Sequence, residues 1–186
     1  MTVNAFRLSG DALHLSALVF LVVGVVRYRS SKSLSLRSQE LFLLCYVLRY
    51  LDLWDGPHRR VGRGNPGWLV WYNFAAKLVF IATAFATCAL VRAMGRRWEW
   101  DSTKDRAWWY LLVVPTGIAG ALLAESSSAR ERCWTASVFI ESVAILPQIA
   151  MIPSSKGLTG PVLCFLASMG TYKMLYDDEC GGVCLS

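Results

Sequence analysis

Arg7, Asp11 and His14 stand at i, i+4 and i+7, a spacing that puts all three on one face of a helix. Arg49 and Asp52 are three residues apart and share a helical face in the same way. Glu141 lies in the middle of an apolar run, seven residues after Trp134 and on its face, and Lys173 sits between Tyr172 and Met174 near the end of another. An ionisable group inside a membrane-crossing helix costs roughly 2.5–3.5 kcal/mol at the centre on insertion scales, and it usually faces the bundle interior. Arginine offers carboxylates a planar, two-pronged donor, and histidine changes charge between about pH 5 and 8. A cavity lined by these groups suits a small zwitterionic or acidic ligand, such as a peptide with a free carboxylate. Each residue also has a plainer reading. Arg7 and Asp11 stand near a helix end and can reach the interface, and Arg49 with Asp52 can be a structural ion pair. His14 can be a satisfied buried histidine, and Trp134 and Tyr172 can be packing or interface residues. No nucleophile–base pair and no metal-ligand set is spelled out, so neither an enzyme nor a cofactor is expected.

The elements that carry these residues are apolar segments. Hydrophobic residues make up 55% of the 186 and charged residues only 17%, bunched between apolar stretches; mean hydropathy is +0.41. Folded in water, such a chain would expose large apolar patches. The sequence predicts six helices, at roughly 5–26, 37–54, 68–92, 107–124, 132–152 and 157–176, in a single membrane domain spanning 1–186. Crossing a bilayer takes about 20 mainly apolar residues, and backbone groups in lipid must be satisfied within the segment, which selects helices. The alternation that marks a membrane barrel is absent from the sequence. The first segment is followed by Arg27-Tyr-Arg-Ser rather than by a small-residue cleavage site, so it reads as an uncleaved helix.

Basic loops orient such a bundle. The loop after the first segment carries Arg27, Arg29, Lys32 and Arg37, and the loop after the third carries Arg92, Arg96, Arg97, Lys104 and Arg106. Both fall on one side if the helices alternate, and that side is expected to be cytosolic, with the N-terminus in the lumen. This placement also accounts for the net charge of +6 without nucleic acid, for which no fold signature is present. Arg59, Arg60 and Arg63 break the trend in a Gly-rich loop near 55–67. Cys45, Cys88, Cys133 and Cys164 lie in apolar runs, where cysteine behaves as a small hydrophobe. Cys180 and Cys184 are open to a bridge or to two free thiols.

Several runs resemble one family. Phe6-Arg7-Leu8-Ser9-Gly10-Asp11 with His14-Leu15 resembles the opening of the K/H-D-E-L receptors, the ER lumen protein retaining receptors. Arg49-Tyr50-Leu51-Asp52-Leu53 resembles their second-helix motif, Val113-Val114-Pro115 their fourth helix and Gly170 to Tyr176 their sixth. Trp134-Thr135 followed by Ile140-Glu141-Ser-Val-Ala-Ile-Leu-Pro147-Gln148 is nearly the family's own wording, and it is the most specific match. The resemblance implies an all-α, polytopic membrane bundle of seven helices in a sugar-transporter-like, PQ-loop-like architecture, about six of which are present here. It implies capture of soluble ER proteins by their C-terminal K/H-D-E-L signal in the acidic Golgi, release in the ER, residence in both membranes and traffic on vesicle coats. By position, it implies that Arg49, with Tyr50 in its motif, holds the ligand's terminal carboxylate and that Arg7 pairs with an acidic ligand residue. Glu131, with Asp52 and Trp134, receives the ligand's Lys or His. His14 senses protons, and Glu141 and Tyr172 form a lock beneath it.

The sequence departs from the family where Lys173 follows Tyr172 in place of arginine, which keeps the charge and loses the fork. The loop near 59–63 is longer than the family's. After about residue 176 the likeness stops, so the resemblance implies that a seventh helix, a further ligand-binding arginine and the coat-engaging tail are missing. On that expectation the 186 residues alone bind weakly and do not retrieve cargo. Two alternatives stand beside retrieval: a small-solute transporter of PQ-loop type, suggested by Pro147-Gln148, and a truncated, non-retrieving family product.

Overall fold

The computed structural model describes residues 5–29, 31, 34–56, 67–94, 97, 105, 109–152 and 160–183, with side chains from residue 9 to residue 171. The described residues form helices and no strand: α1 (Ala5–Tyr28), α2 (Leu36–Arg49), α3 (Gly67–Met94), α4 (Trp109–Leu123), α5 (Ala129–Val143), α6 (Leu146–Met151) and α7 (Gly160–Val183), with a 3-10 turn over Leu51–Asp55. Among the described residues three stretches are long and apolar enough to cross a membrane: Ser9–Tyr28, Gly67–Met94 and Ala129–Met151. Trp109–Leu123 and Gly160–Thr171 are shorter apolar helices. The result is an all-α bundle of the polytopic kind.

Proline chemistry explains why the fifth span is built from two helices. Pro147 has no N–H, and its ring meets the carbonyl of the residue four earlier; that residue is Val143, where α5 ends. Ala144 and Ile145 turn, and α6 resumes with Pro147 in its first turn. A break in a membrane helix strands carbonyls, which must find partners inside the protein. The Ser38 hydroxyl of α2 donates to the Ala144 carbonyl.

The start of α2 is tied down as firmly. Ser35 is its N-cap, accepting from the Ser38 N–H at 3.1 Å. Asp105, from the chain between α3 and α4, accepts from the Ser35 hydroxyl at 2.7 Å and from the backbone N–H groups of Leu36 and Arg37 at 2.7 and 3.2 Å. Gln148 of α6 accepts from the Ser35 N–H at 2.9 Å. The first N–H groups of a helix lack intrahelical partners, and here a carboxylate and an amide from two distant segments supply them.

Contacts fix the helix directions. The Ser35–Gln148 bond places the end of the fifth span beside the start of α2, and an ion pair of Arg130 with Asp55 at 2.9 Å places its beginning beside the end of α2. Arg92 near the end of α3 reaches Glu40 near the start of α2 at 2.6 Å. Gly24 and Gly120 are close-approach sites: a Cβ on Gly24 would lie 2.4 Å from Pro161 of α7, and one on Gly120 only 2.2 Å from the Cα of Ala136. Small residues at such crossings let membrane helices pack backbone to backbone.

The buried faces follow the helical period. His14, Leu18, Leu21 and Val25 of α1 are buried where α1 packs against α7, which carries Val162, Phe165 and Met169, and against α3, and Phe42, Cys45 and Tyr46 of α2 are buried in the same interior. Large apolar side chains point outward instead, among them Phe20, Trp68, Phe85, Ile118 and Leu122. Such surface has no stable place in water, and it matches a lipid environment.

Candidate functional site

One end of α2 gathers the charged residues. Phe42, Tyr46 and Tyr50 follow each other at every fourth position, so their rings form one column. Tyr46 and Tyr50 are stacked with centroids 6.1 Å apart, and both rest near Phe80 of α3, at 5.9 and 6.4 Å. His14 enters this column from α1. Its Nε2 is 2.7 Å from the Tyr46 hydroxyl, and its ring centroid is 4.9 Å from that of Phe80. The histidine is buried, and either tautomer satisfies the bond because a tyrosine hydroxyl both donates and accepts.

Cys45 and Arg49, one turn apart, leave α2 toward α5. There Ser137 and Glu141, also one turn apart, meet them. Arg49 donates through its terminal nitrogen to Glu141 Oε2 and through Nε to Ser137 Oγ at 3.3 Å. Ser137 in turn donates to the Trp134 carbonyl at 2.6 Å. The Arg49 side chain is 19% exposed and that of Glu141 only 6%. Removing one partner of such a pair is costly, because the remaining charge loses its opposite in a low dielectric.

Beyond Arg49 the backbone tightens into the 3-10 turn, which ends at Gly56 with a positive φ of 66°. The turn carries Asp52 away from Arg49. Asp52 pairs with Lys77 of α3, whose ammonium also sits 5.4 Å from the centroid of the Tyr50 ring. Arg49 and Asp52, expected on one face, thus take partners on different helices.

The structure therefore brings Arg49, Glu141, Tyr50, Asp52 and His14 to adjoining positions around α2. Trp134 is half exposed and Glu131 partly so, both on α5. Arg7 lies in α1 and Tyr172 and Lys173 in α7, but their side chains, like the whole basic loop 57–66, lie outside the described residues. Sequence reasoning assigned no role to Lys77, Tyr46 or Ser137. Lys77 did leave a signal, being the only charge in a long apolar run. A tyrosine and a serine in such runs leave none. Among the described residues no group of three or more His, Cys, Asp or Glu is placed to hold a metal.

Comparison with known proteins agrees with the motifs. The family model for the ER lumen protein retaining receptor matches residues 30–177. The chain belongs to that family. The ER lumen protein-retaining receptor of Entamoeba histolytica is 32% identical over 176 residues, covering 95% of this chain and 77% of the relative. The ER lumen protein-retaining receptor 2 of Bos taurus is 36% identical over 173 residues, covering 93% of this chain and 76% of the relative, and that of Gallus gallus is 35% identical over the same length. A family of retention receptors does not favour the small-solute transporter.

Proposed function

We propose that this chain is a membrane receptor that binds the C-terminal K/H-D-E-L signal of soluble ER proteins in the Golgi and returns them to the ER, aided by vesicle coat machinery. The observation that carries the reading is the partly buried Arg49, held between Ser137 and Glu141 beside the His14–Tyr46–Tyr50 column. A guanidinium in that setting is a carboxylate receptor, and the free C-terminus of a peptide is the ligand it fits. Arg7 takes an acidic residue of the signal. Asp52, Glu131 and Trp134 take its Lys or His. His14 is the proton sensor, with Glu141, Tyr172 and Lys173 completing the site below it.

The test is direct binding of a K-D-E-L-ending peptide to the purified chain at about pH 5.5 and about pH 7.5, the range over which histidine changes charge. Tighter binding at the acidic value is expected, and the difference should vanish in His14→Phe. A peptide with an amidated C-terminus should bind weakly. Equal binding of the acid and amide forms would overturn the assignment of Arg49 to the carboxylate.

Orientation has its own test. The basic ends of α1 and α3 belong in the cytosol, so the N-terminus and the loop Glu125–Ser127, exposed between α4 and α5, belong in the lumen. A glycosylation acceptor placed in that loop should be modified in microsomes, and one placed beside Arg29 should not. The reverse pattern would invert the bundle.

A further inference from the structure

We propose that Lys77 is an internal stand-in for the ligand's basic residue: it occupies Asp52 while the site is empty and is displaced when the ligand's ammonium or imidazolium arrives. The inference rests on the reading of Asp52 as a receiver of that basic residue.

Charge balance requires such a group. A carboxylate built into a bundle to receive a cation stands unneutralised whenever no ligand is bound, and burial makes that state costly. Both carboxylates deepest in the cluster solve the problem with an internal cation. Glu141 is held by Arg49 and Asp52 by Lys77. The second pair is the one built to open. Asp52 sits on a five-residue 3-10 turn outside the body of α2, and Lys77 reaches it from a different helix. The two side chains are 17% and 23% exposed, against 6% for Glu141. Lysine is a point charge on a flexible stem and has no forked geometry to lose. The Tyr50 face, 5.4 Å from the ammonium, lets the departing or the incoming cation remain near a ring during exchange.

The consequence is for specificity, which is a difference of affinities. At Asp52 a basic ligand residue gains only the margin by which it pairs with the carboxylate better than Lys77 does. A neutral residue at the same place gains no ion pair, because Lys77 already neutralises the Asp52 charge. Lys77 thus lowers absolute affinity and keeps the site from holding a ligand whose basic end is badly placed.

The experiment compares the full chain and Lys77→Gln, each titrated with a K-D-E-L-ending peptide and with its twin carrying Ala in place of the Lys. In the full chain the basic peptide binds tighter. In Lys77→Gln the ratio of the two affinities should rise by about ten- to a hundredfold, as for one charge-assisted hydrogen bond gained without competition. In Lys77→Gln/Asp52→Asn, where both charges are removed together, the ratio should fall well below the Lys77→Gln value, to what Glu131 and Trp134 supply. A second measurement needs no variant. Modification of Lys77 by an amine-reactive reagent, read by mass spectrometry, should be faster with the basic peptide bound than with the Ala twin. An unchanged affinity ratio in Lys77→Gln, or equal labelling rates, overturns the role of Lys77 alone. A wild-type chain that binds neither peptide, or both equally, overturns instead the reading of the site on which the proposal rests.

Discussion

Replacing Arg49 by Met should lower the stability of the protein by about 3–5 kcal/mol, the usual cost of breaking a buried ion pair from one side. The loss has a specific origin. Glu141 is 6% exposed, and without the guanidinium its charge has to remain in the bundle or be neutralised there. Ser137 loses the Nε donor as well. The double replacement Arg49→Met/Glu141→Leu removes both charges and fills the space with apolar atoms, so it should recover most of the stability, because buried pairs exchanged whole for packed apolar residues are often neutral or better. Peptide binding should behave differently. Both variants should lose about ten- to a hundredfold in affinity for a K-D-E-L-ending peptide, the worth of one hydrogen bond to a charged group. Thermal unfolding in detergent together with peptide titration separates the two effects. If the double variant stays as unstable as the single one, the pair is not the source of the loss; if the double variant binds peptide normally, Arg49 is not the carboxylate's partner.

The second large effect is expected far from the ligand, at Asp105. This buried carboxylate, 5% exposed, accepts from the Ser35 hydroxyl and from two backbone N–H groups at the start of α2. Asp105→Ala should destabilise by about 3 kcal/mol, since each buried donor left without a partner costs roughly 1–3 kcal/mol and water will satisfy some of the loss. Hydrogen exchange should accelerate at Leu36, Arg37 and Ser38, and the far end of α2, with Arg49 and Tyr50, should change less. Uniform acceleration along the helix would mean that Asp105 does more than cap it. Asp105→Asn keeps one carbonyl acceptor and should fall between the wild type and the alanine variant.

The class of the protein was legible in the chain itself. Apolar runs long enough to span a bilayer admit helices and little else, because lipid offers backbone groups no partners. The family was legible too, since the run from Trp134 to Gln148 and the Arg49–Asp52 motif are written in consecutive residues. The charged candidates stood out for an energetic reason, as Arg49, Glu141 and His14 are costly wherever lipid surrounds them. The break before Pro147 follows from local sterics, yet the Ser38 hydroxyl that takes the Ala144 carbonyl comes from a helix 106 positions earlier.

Partnership was decided only by the tertiary structure. Arg49 and Asp52 look like a pair along the chain, but the 3-10 turn after Arg49 rotates Asp52 toward α3, so Arg49 meets Glu141 and Asp52 meets Lys77. Asp105 and Gln148 belong to segments with no sequence relation to α2, and both serve its first turn. The His14–Tyr46 bond joins residues 32 apart on different helices. Helical periodicity states which face of a segment turns inward; it does not state which neighbour that face meets, or at what height. Those are set by how closely helices can approach, at Gly24 against Pro161 and Gly120 against Ala136, and by the requirement that every buried charge find its opposite.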